Sequence, residues 1–402
     1  MILVFRNIKK RYLKHLLIKN LFLFTFLLAI ITNTVYAQRL DKEKVILQLK
    51  WKNQFQFAGY YAAIEKGFYK DVGLDVEVRE IEKVSNVTEI VLNGIAQYGI
   101  GNSELVIQYM NGLPVVVLAC ILQNSPSALV VKSSSNIYTP KDLVNKLLEI
   151  NVEESGVEII AMLKKAGITP DKYKTTQSTF SLNNLLSNKV DALEIYSTNE
   201  PFFLTKFGIP YRMINPRDYG INFYSDCLFT SREEIKKHPD RVRKFRQASL
   251  KGWDYALSHP EEIANIIQYK YKSIKTLDHL LFEAEEMRKL AVPEFVQIGH
   301  SNKERWLSIV ETLSQQGLIT NLKDIDGFIY NPEENYNLTR TTILAILVIT
   351  ISVVMLFLAY IYYKTRASLL KRTSEFKSLS IRYEALLKEI NRLKTGNGKS
   401  NS

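Results

Sequence analysis

Apolar and polar side chains alternate at the start of residues 45–78, a pattern that predicts a β-strand. The apolar positions of this strand are Val45, Leu47, Leu49 and Trp51. From Phe57 to Phe68 the apolar spacing changes to three and four residues, which predicts a helix with one buried face. A second strand is predicted at residues 74–78. The loop 51–56 then follows the first strand at its carboxyl end, where open α/β sheets bind ligands.

The alternation of strands and helices continues along the chain as two α/β blocks and a helical tract. The continuous apolar run at 115–122 predicts a buried strand, which we expect to be parallel to its neighbours. Further predicted elements are strands at 128–132, 191–196 and 211–214 and helices at 86–92 (capped by Ser85), 157–165, 182–188 and 200–207. Residues 231–316 carry a nearly all-helical pattern.

This order predicts two lobes around a cleft. Lobe 1 comprises residues 45–128 and 229–331, and lobe 2 comprises residues 129–228. The chain is expected to cross between the lobes near Leu129 and Leu228, so the two crossings would act as a hinge that lets the cleft close on a ligand.

The N-terminal 37 residues have the layout of a secretory signal peptide. A basic region precedes an apolar run from Leu21 to Ile31, and Val35-Tyr36-Ala37 precedes the expected cleavage site. An uncleaved signal anchor is the alternative, because the basic lead is long and Tyr36 is unusual at this position.

A second apolar segment at residues 341–363 has no charged residue from Ile343 to Tyr363 and is long enough to cross a bilayer. A buried helix of a soluble domain is the alternative. Tyrosines lie at the end of this segment, and Lys364 and Arg366 follow it. Because basic residues favour the cytoplasmic side, we expect the tail in the cytoplasm and the preceding domain in the periplasm of a bacterial inner membrane.

The tail at 364–395 has apolar residues at seven-residue spacing. One seam is Leu369, Phe376, Tyr383 and Ile390, and the second is Leu379, Leu386 and Leu393, with Arg372 as the exception. The pattern predicts a dimeric coiled coil, with a basic amphipathic helix on the inner leaflet as the alternative.

The net charge of +12 belongs to these two ends. Residues 1–37 carry six Lys or Arg and no acid, and residues 364–402 carry ten against three Glu, which leaves the middle at −1. No nucleic-acid partner is therefore predicted. The two cysteines, Cys120 and Cys227, could pair, but Cys120 lies in an apolar run and a buried free thiol is predicted.

Several long motifs resemble the NMT1/THI5-like family, whose fold is the type II periplasmic-binding-protein fold. The motifs are LKWKNQFQFAGYYAA at 49–63, GNSE at 101–104, YSTNEP at 196–201, NPRDYG at 215–220, GWDYA at 252–256, HPEE at 259–262 and FEAEEMRK at 282–289. The resemblance covers about residues 45–331. It implies recognition of a thiamine-precursor-like aminopyrimidine by an importer receptor, by the input domain of a sensor, or by a pyrimidine synthase that uses pyridoxal phosphate and iron.

The synthase would need a lysine, a nearby histidine and a cysteine cluster. The corresponding segments read IGNSEL at 100–105 and GINFYSDC at 220–227, with neither Lys nor His in the first and one Cys in the second. The five histidines show no metal-ligand spacing. We therefore predict a binding protein with no cofactor and no metal, and treat the synthase as an alternative.

An aminopyrimidine needs aromatic faces, an acceptor for its amine and donors for its ring nitrogens. The candidate platforms are Trp51, Tyr60 and Tyr219; the acceptors are Glu104, Glu200 and Asp218; the donors are Asn53, Gln54, Asn102, Ser103 and Asn199. Each has a structural alternative in core packing or helix capping, and Glu200 is the preferred site residue. The expected partners are the ligand, the membrane, a second copy of the chain, and either a separate signalling protein or an importer permease.

Overall fold

A computed structural model describes residues 42–81, 86–152, 156–179 and 181–396. The strands are β1 (Glu43–Gln48), β2 (Leu74–Arg79), β3 (Tyr98–Gly101), β4 (Val115–Leu122), β5 (Ser127–Lys132), β6 (Leu147–Glu149), β7 (Lys174–Thr176), β8 (Ala192–Tyr196), β9 (Tyr211–Ile214) and β10 (Ser225–Ser231). The predicted signal peptide and Ser85 lie outside the described residues. Within them, the side chain of Asn86 caps the helix that follows, by accepting from the backbone N–H groups of Thr88 and Glu89.

The helices before the C-terminal segment are α1 (Ala58–Glu65), α2 (Phe68–Asp71), α3 (Val87–Leu92), α4 (Glu104–Met110), α5 (Val157–Lys165), α6 (Leu182–Leu186), α7 (Glu200–Lys206), α8 (Arg232–Lys237), α9 (Pro239–Ser258), α10 (Pro260–Tyr269), α11 (Leu277–Ala291) and α12 (Lys303–Gln315). The helix predicted to continue to Phe68 is divided in two. Gly67 adopts a left-handed backbone with φ 78° between α1 and α2, a conformation that glycine accepts at little cost.

The first sheet has the strand order β2-β1-β3-β10-β4. Strands β2, β1 and β3 are parallel, and β10 is antiparallel to both β3 and β4. The boundaries predicted for β4 are confirmed and all eight of its residues are buried. Its predicted parallel pairing is wrong, because the strand that pairs with it is the antiparallel β10, which returns from the other lobe.

The second sheet has the order β7-β6-β8-β5-β9. Strand β5 is antiparallel to β8 and β9, and β6 is parallel to β7 and β8. The chain passes from the first sheet to the second between Leu122 and Ser127 and returns between Ile214 and Ser225. Leu129 and Leu228, near which the crossings were predicted, lie inside β5 and β10.

Cys120 and Cys227 form a disulfide, so the prediction of a buried free thiol is wrong. The two residues face each other in the register of β4 and β10. A separation of 107 residues in the sequence hides this proximity until the strand order is known.

Residues 331–402 form a second compact unit, separate from residues 1–330. It contains one continuous helix, α13 (Pro332–Gly396). Among the described residues, α13 holds the single stretch that is long and apolar enough to cross a membrane by length and composition, within Ile343–Leu393.

Candidate functional site

The facing edges of the two sheets form a cleft. At the edge of the first sheet, Lys50 and Asn102 follow β1 and β3, and Asp226 stands near the start of the antiparallel β10. At the edge of the second sheet, Tyr196 ends β8 opposite Ser127, which begins β5. Polar side chains from four distant segments therefore meet where α/β sheets place ligands.

A buried ion pair lies at the centre of this edge. Lys50 Nζ is 2.6 Å from Asp226 Oδ1 and also donates to Asn102 Oδ1 and to the hydroxyl oxygen of Tyr196, the latter at 3.3 Å. Burial by itself lowers the pKa of Lys50, but the interactions with Asp226, Tyr196 and Glu104 together outweigh it and the pKa is raised above its ordinary value. Lys50 is therefore an ammonium that joins groups of both lobes.

Asp226 is held in an unusual backbone conformation, with φ 49° at a residue other than glycine. Its Oδ1 atom also accepts from Gln56 Nε2 at 2.7 Å. Its buried Oδ2 atom has no hydrogen-bond partner among the described residues. Strained backbone and an unsatisfied buried oxygen are concentrated at binding sites, because the surrounding fold has to impose them.

Two adjoining pockets open beside this ion pair. The first is lined by Asn102, Ser103, Glu104, Ser125, Ser127, Val157, Glu158, Tyr196 and Phe223. The second is lined by Ser125, Ser127, Glu158, Ser197, Asn215, Arg217, Ile221, Asn222 and Leu290. Since Ser125, Ser127 and Glu158 line both, the two pockets are adjacent, and together they are called the groove below.

Carboxylates dominate the first pocket. Glu158 is 5% exposed, and burial raises its pKa to about 8, with the nearby Glu104 and Glu194 adding to the shift and a hydrogen bond with Ser125 opposing it. Glu104 accepts from the backbone N–H of Asn102 at 2.8 Å. A pocket with this lining accepts hydrogen bonds from amino groups and favours ligands that donate protons.

A second contact joins the lobes beside the cleft. Lys275, which precedes α11, donates to Glu283 on α11 and to Asn199 of the other lobe. The ring of His279 stacks on Phe202 with ring centroids 4.3 Å apart. Burial, together with the charge of Lys275, lowers the pKa of His279 to about 3, so its imidazole is neutral and packs as an aromatic ring.

Of the eleven predicted site residues, Asn102, Ser103 and Glu104 line the first pocket. Ser103 also donates to the backbone oxygen of Tyr224 at 2.7 Å. Asn199 and Glu200 do not line the pocket and act on it indirectly, through Tyr196. The carboxylate of Glu200 accepts from Tyr196 N at 2.9 Å and from Asn199 Nδ2, and burial raises its pKa to about 7. These bonds hold the turn that presents Tyr196 to the cleft.

The other predicted residues lie outside the pocket linings. Tyr60 is buried in the core of lobe 1, edge to face with Trp253. The side chain of Asn53 accepts a hydrogen bond from the Tyr61 hydroxyl and donates one to the backbone oxygen of Tyr271. The side-chain amide of Gln54 donates to that of Gln56.

Trp51, 39% exposed, lies in the loop after β1, beyond the strand in which it was predicted. Asp218 is exposed in the turn Pro216–Tyr219 and accepts from Asn215. Tyr219, in the same turn, packs against the apolar core.

The residues of the cleft that sequence reasoning missed include Lys50, Glu158, Tyr196, Arg217 and Asp226. Lys50, Tyr196 and Arg217 lie inside motifs that had been singled out, so position in a motif was an available signal. Neither Glu158 nor Asp226 had a local sequence signal for a binding site. Glu158 lies in the first turn of the amphipathic helix α5, and Asp226 lies within the buried strand β10. Among the described residues, no three or more His, Cys, Asp or Glu side chains are grouped to hold a metal ion.

Residues 54–263 match the model of the NMT1/THI5-like family, which is more than half of the chain. The chain belongs to the NMT1/THI5-like family. This confirms the resemblance drawn from the motifs at 49–63 and 196–201.

Curated relatives include both binding proteins and synthases. The riboflavin-binding protein RibY of Chloroflexus aurantiacus is 23% identical over 70% of this chain and 84% of its own length. The formylaminopyrimidine-binding protein of Halalkalibacterium halodurans is 23% identical over 56% of this chain and 70% of its own. A 4-amino-5-hydroxymethyl-2-methylpyrimidine phosphate synthase of Legionella pneumophila is 26% identical over 58% and 76%. A solute-binding role is therefore supported at the family level.

Solved structures confirm the predicted fold. The periplasmic aliphatic sulphonate binding protein SsuA of Escherichia coli superposes with a TM-score of 0.57 over 72% of this chain and 97% of its own, at 14% identity. The two mixed sheets with their helices are thus a periplasmic-binding-protein fold, followed here by one long apolar C-terminal helix.

Proposed function

We propose that this protein is a membrane-anchored receptor that binds an aminopyrimidine of the thiamine-precursor type between its lobes. The observation that carries the proposal is the lining of the first pocket. Glu104 and Glu158 offer acceptors for an exocyclic amine, whereas Asn102 and the hydroxyl of Tyr196 offer donors for ring nitrogens. Because these groups come from both lobes, the ligand would be held by closure of the cleft.

The charge of the same pocket disfavours a sulfonate ligand. Its lining residues include two glutamates and no arginine, lysine or histidine. Lys50 lies beside it, but its ammonium is already paired with Asp226. An anion would find no cation in this lining to pair with, and burying an unpaired charge in a site of low dielectric is costly.

The proposed role is sensory, with the membrane helix and the tail as the output. Support comes from α13, which continues without a break from the apolar segment into the heptads at 369–393. A parallel dimer of this helix could pass a change in the binding domain to a separate cytoplasmic partner. In this proposal the signal peptide is cleaved, the binding domain is periplasmic and the tail is cytoplasmic.

A receptor that delivers the same ligand to an importer is the second candidate, supported by the relatives named as binding proteins. Uptake of labelled pyrimidine in cells with and without the gene separates the two. Loss of uptake would favour import, whereas unchanged uptake with a lost transcriptional response would favour sensing.

Binding is tested on the full chain in detergent by thermal melting and calorimetry with 4-amino-5-hydroxymethyl-2-methylpyrimidine. We expect saturating ligand to raise the melting temperature, because it binds the folded state alone. Tyr196→Phe should weaken binding about three- to tenfold, the effect of one lost hydrogen bond. Tyr269→Phe, at an exposed tyrosine, is the matched control. If no aminopyrimidine shifts the melting temperature, the ligand assignment is wrong.

A further inference from the structure

The groove formed by the two pockets is polar at both ends, but the two ends differ in charge. The first pocket contains Glu104 and Glu158. The second shares Glu158 with it and is otherwise lined by amide, hydroxyl and guanidinium groups, from Ser197, Asn215, Arg217 and Asn222, together with apolar contacts. A single ligand lying along the groove would meet acceptors at one end and donors at the other.

Arg217 supplies the positive charge at the second end. It is exposed in the turn Pro216–Tyr219, and its guanidinium forms no ion pair with any residue in the described part of the chain. Arg241 and Arg243 by contrast are each paired with a carboxylate. Asp218 belongs to the same turn as Arg217 but is directed to Asn215 and does not line the pocket.

A second guanidinium does not line this pocket but contacts one of its lining residues, Asn222. Arg305 donates to Asn222 Oδ1 at 3.2 Å and to the backbone oxygen of Gln123, and it lies over the ring of Tyr224 at 4.1 Å. Accepting from Arg305 leaves the amide N–H groups of Asn222 free to donate into the pocket. The second pocket is thus lined by one guanidinium, that of Arg217, and by the amide groups of Asn215 and Asn222.

We propose that the ligand is a dipolar molecule: an amino heterocycle bound at Glu104 and Glu158, carrying an anionic substituent that is bound by Arg217. The proposal rests on the proposed function and adds a second chemical group to its ligand. A carboxylate or a phosphate monoester has the required chemistry, because guanidinium groups bind both in a bidentate geometry. The first pocket orients the ligand, since its lining offers no cation with which the anionic substituent could pair.

The test compares three probes on the full chain in detergent: 4-amino-5-hydroxymethyl-2-methylpyrimidine, its phosphate monoester, and the corresponding 5-carboxylic acid. Calorimetry at low and at physiological salt gives the dissociation constants. We expect at least one anionic probe to bind about tenfold tighter than the alcohol, the effect of a charge-assisted hydrogen bond. A preference for one anion over the other identifies the substituent.

Arg217→Gln should remove this advantage, so that the anionic probes bind no tighter than the alcohol. Arg243→Gln, on α9, is the matched control and should alter neither affinity. If the alcohol binds as tightly as both anionic probes, or if Arg217→Gln weakens all three probes equally, the dipolar ligand is wrong and the aminopyrimidine receptor stands. If none of the three binds, both proposals fall.

Discussion

At the scale of single residues, the cleft is dominated by ionisable groups that are buried together. Lys50 and Asp226 tolerate burial because each is the other's partner and both have additional hydrogen bonds. Burial disfavours the charged form of Glu158, which forms no ion pair among the described residues, and its pKa rises to about 8 although the charge of Lys50 opposes the shift. The protonation of Glu158 should therefore be visible in the stability of the protein.

We predict that the effect of Glu158→Gln on stability depends on pH. The folded protein holds the proton of Glu158 up to about pH 8, whereas a glutamate in the unfolded chain loses it near its ordinary value of 4.5. Between these values the folded state binds more protons, so the contribution of Glu158 to stability falls as pH rises. Glutamine cannot ionise, and the melting temperature of the variant should rise relative to the native chain from pH 5 to pH 8.5.

Melting curves of the two proteins across this range measure the difference. Glu285→Gln, at an exposed glutamate, should show no such trend. A constant difference for Glu158→Gln across the range would mean that the glutamate is ionised in the folded protein.

At the scale of elements, the site depends on how closely α1 packs against α9. The main chain of the two helices touches at Gly59 and Gly252. A Cβ atom on Gly252 would lie 2.1 Å from Gly59 O, and one on Gly59 would lie 2.2 Å from the ring of Trp253. The loop that carries Lys50 and Gln56 leads directly into α1, so this contact sets where the loop stands in the cleft.

We predict that Gly252→Ala destabilises the protein by about 3 kcal/mol or more, because the added methyl group meets backbone rather than a movable side chain. Intrinsic helix propensity acts in the opposite direction, favouring alanine by about 1 kcal/mol. A loss of stability would therefore be due to the close contact between the two helices and not to helix propensity. Denaturation in urea measures it, with Gln247→Ala at an exposed position of α9 as the control. A variant as stable as the native chain would show that the two helices are further apart.

At the scale of the whole molecule, residues 331–402 form a separate unit built on one helix. The large apolar side chains along its second half, such as Leu379 and Leu386, are exposed in the single chain. Exposed leucines at heptad spacing are stabilised when a second helix covers them.

We predict that Leu379→Cys forms a disulfide-linked dimer in membranes treated with a mild oxidant. Residue 379 lies on the proposed seam, so the two copies would be adjacent there. Ser378→Cys lies off the seam and is the control. The native cysteines do not interfere, since Cys120 and Cys227 are already paired. Equal cross-linking at both positions, or none at residue 379, would contradict the coiled coil.

Much of the secondary structure could be predicted because its signals are local. The bounds of β4 and of α5 follow from a continuous apolar run and from a helical period, which neighbours in the sequence determine. The family motifs likewise led to the correct fold. Predictions that depended on pairing between distant segments were wrong, as the direction of β4 and the state of Cys120 show.

Most strands and helices and the apolar C-terminal segment could be located from the sequence alone, because hydrophobic periodicity is a property of neighbouring residues. Which polar side chains meet depends instead on how distant strands pair and where they end. Lys50 contacts Tyr196 and Asp226 because β1 and β10 of the first sheet and β8 of the second end or begin at the facing edges of the two sheets. In the sequence, 146 residues separate Lys50 from Tyr196. Tyr60 is a predicted site residue that the tertiary structure places elsewhere. Because α1 packs on α9, its ring lies in the core against Trp253 and not in the cleft.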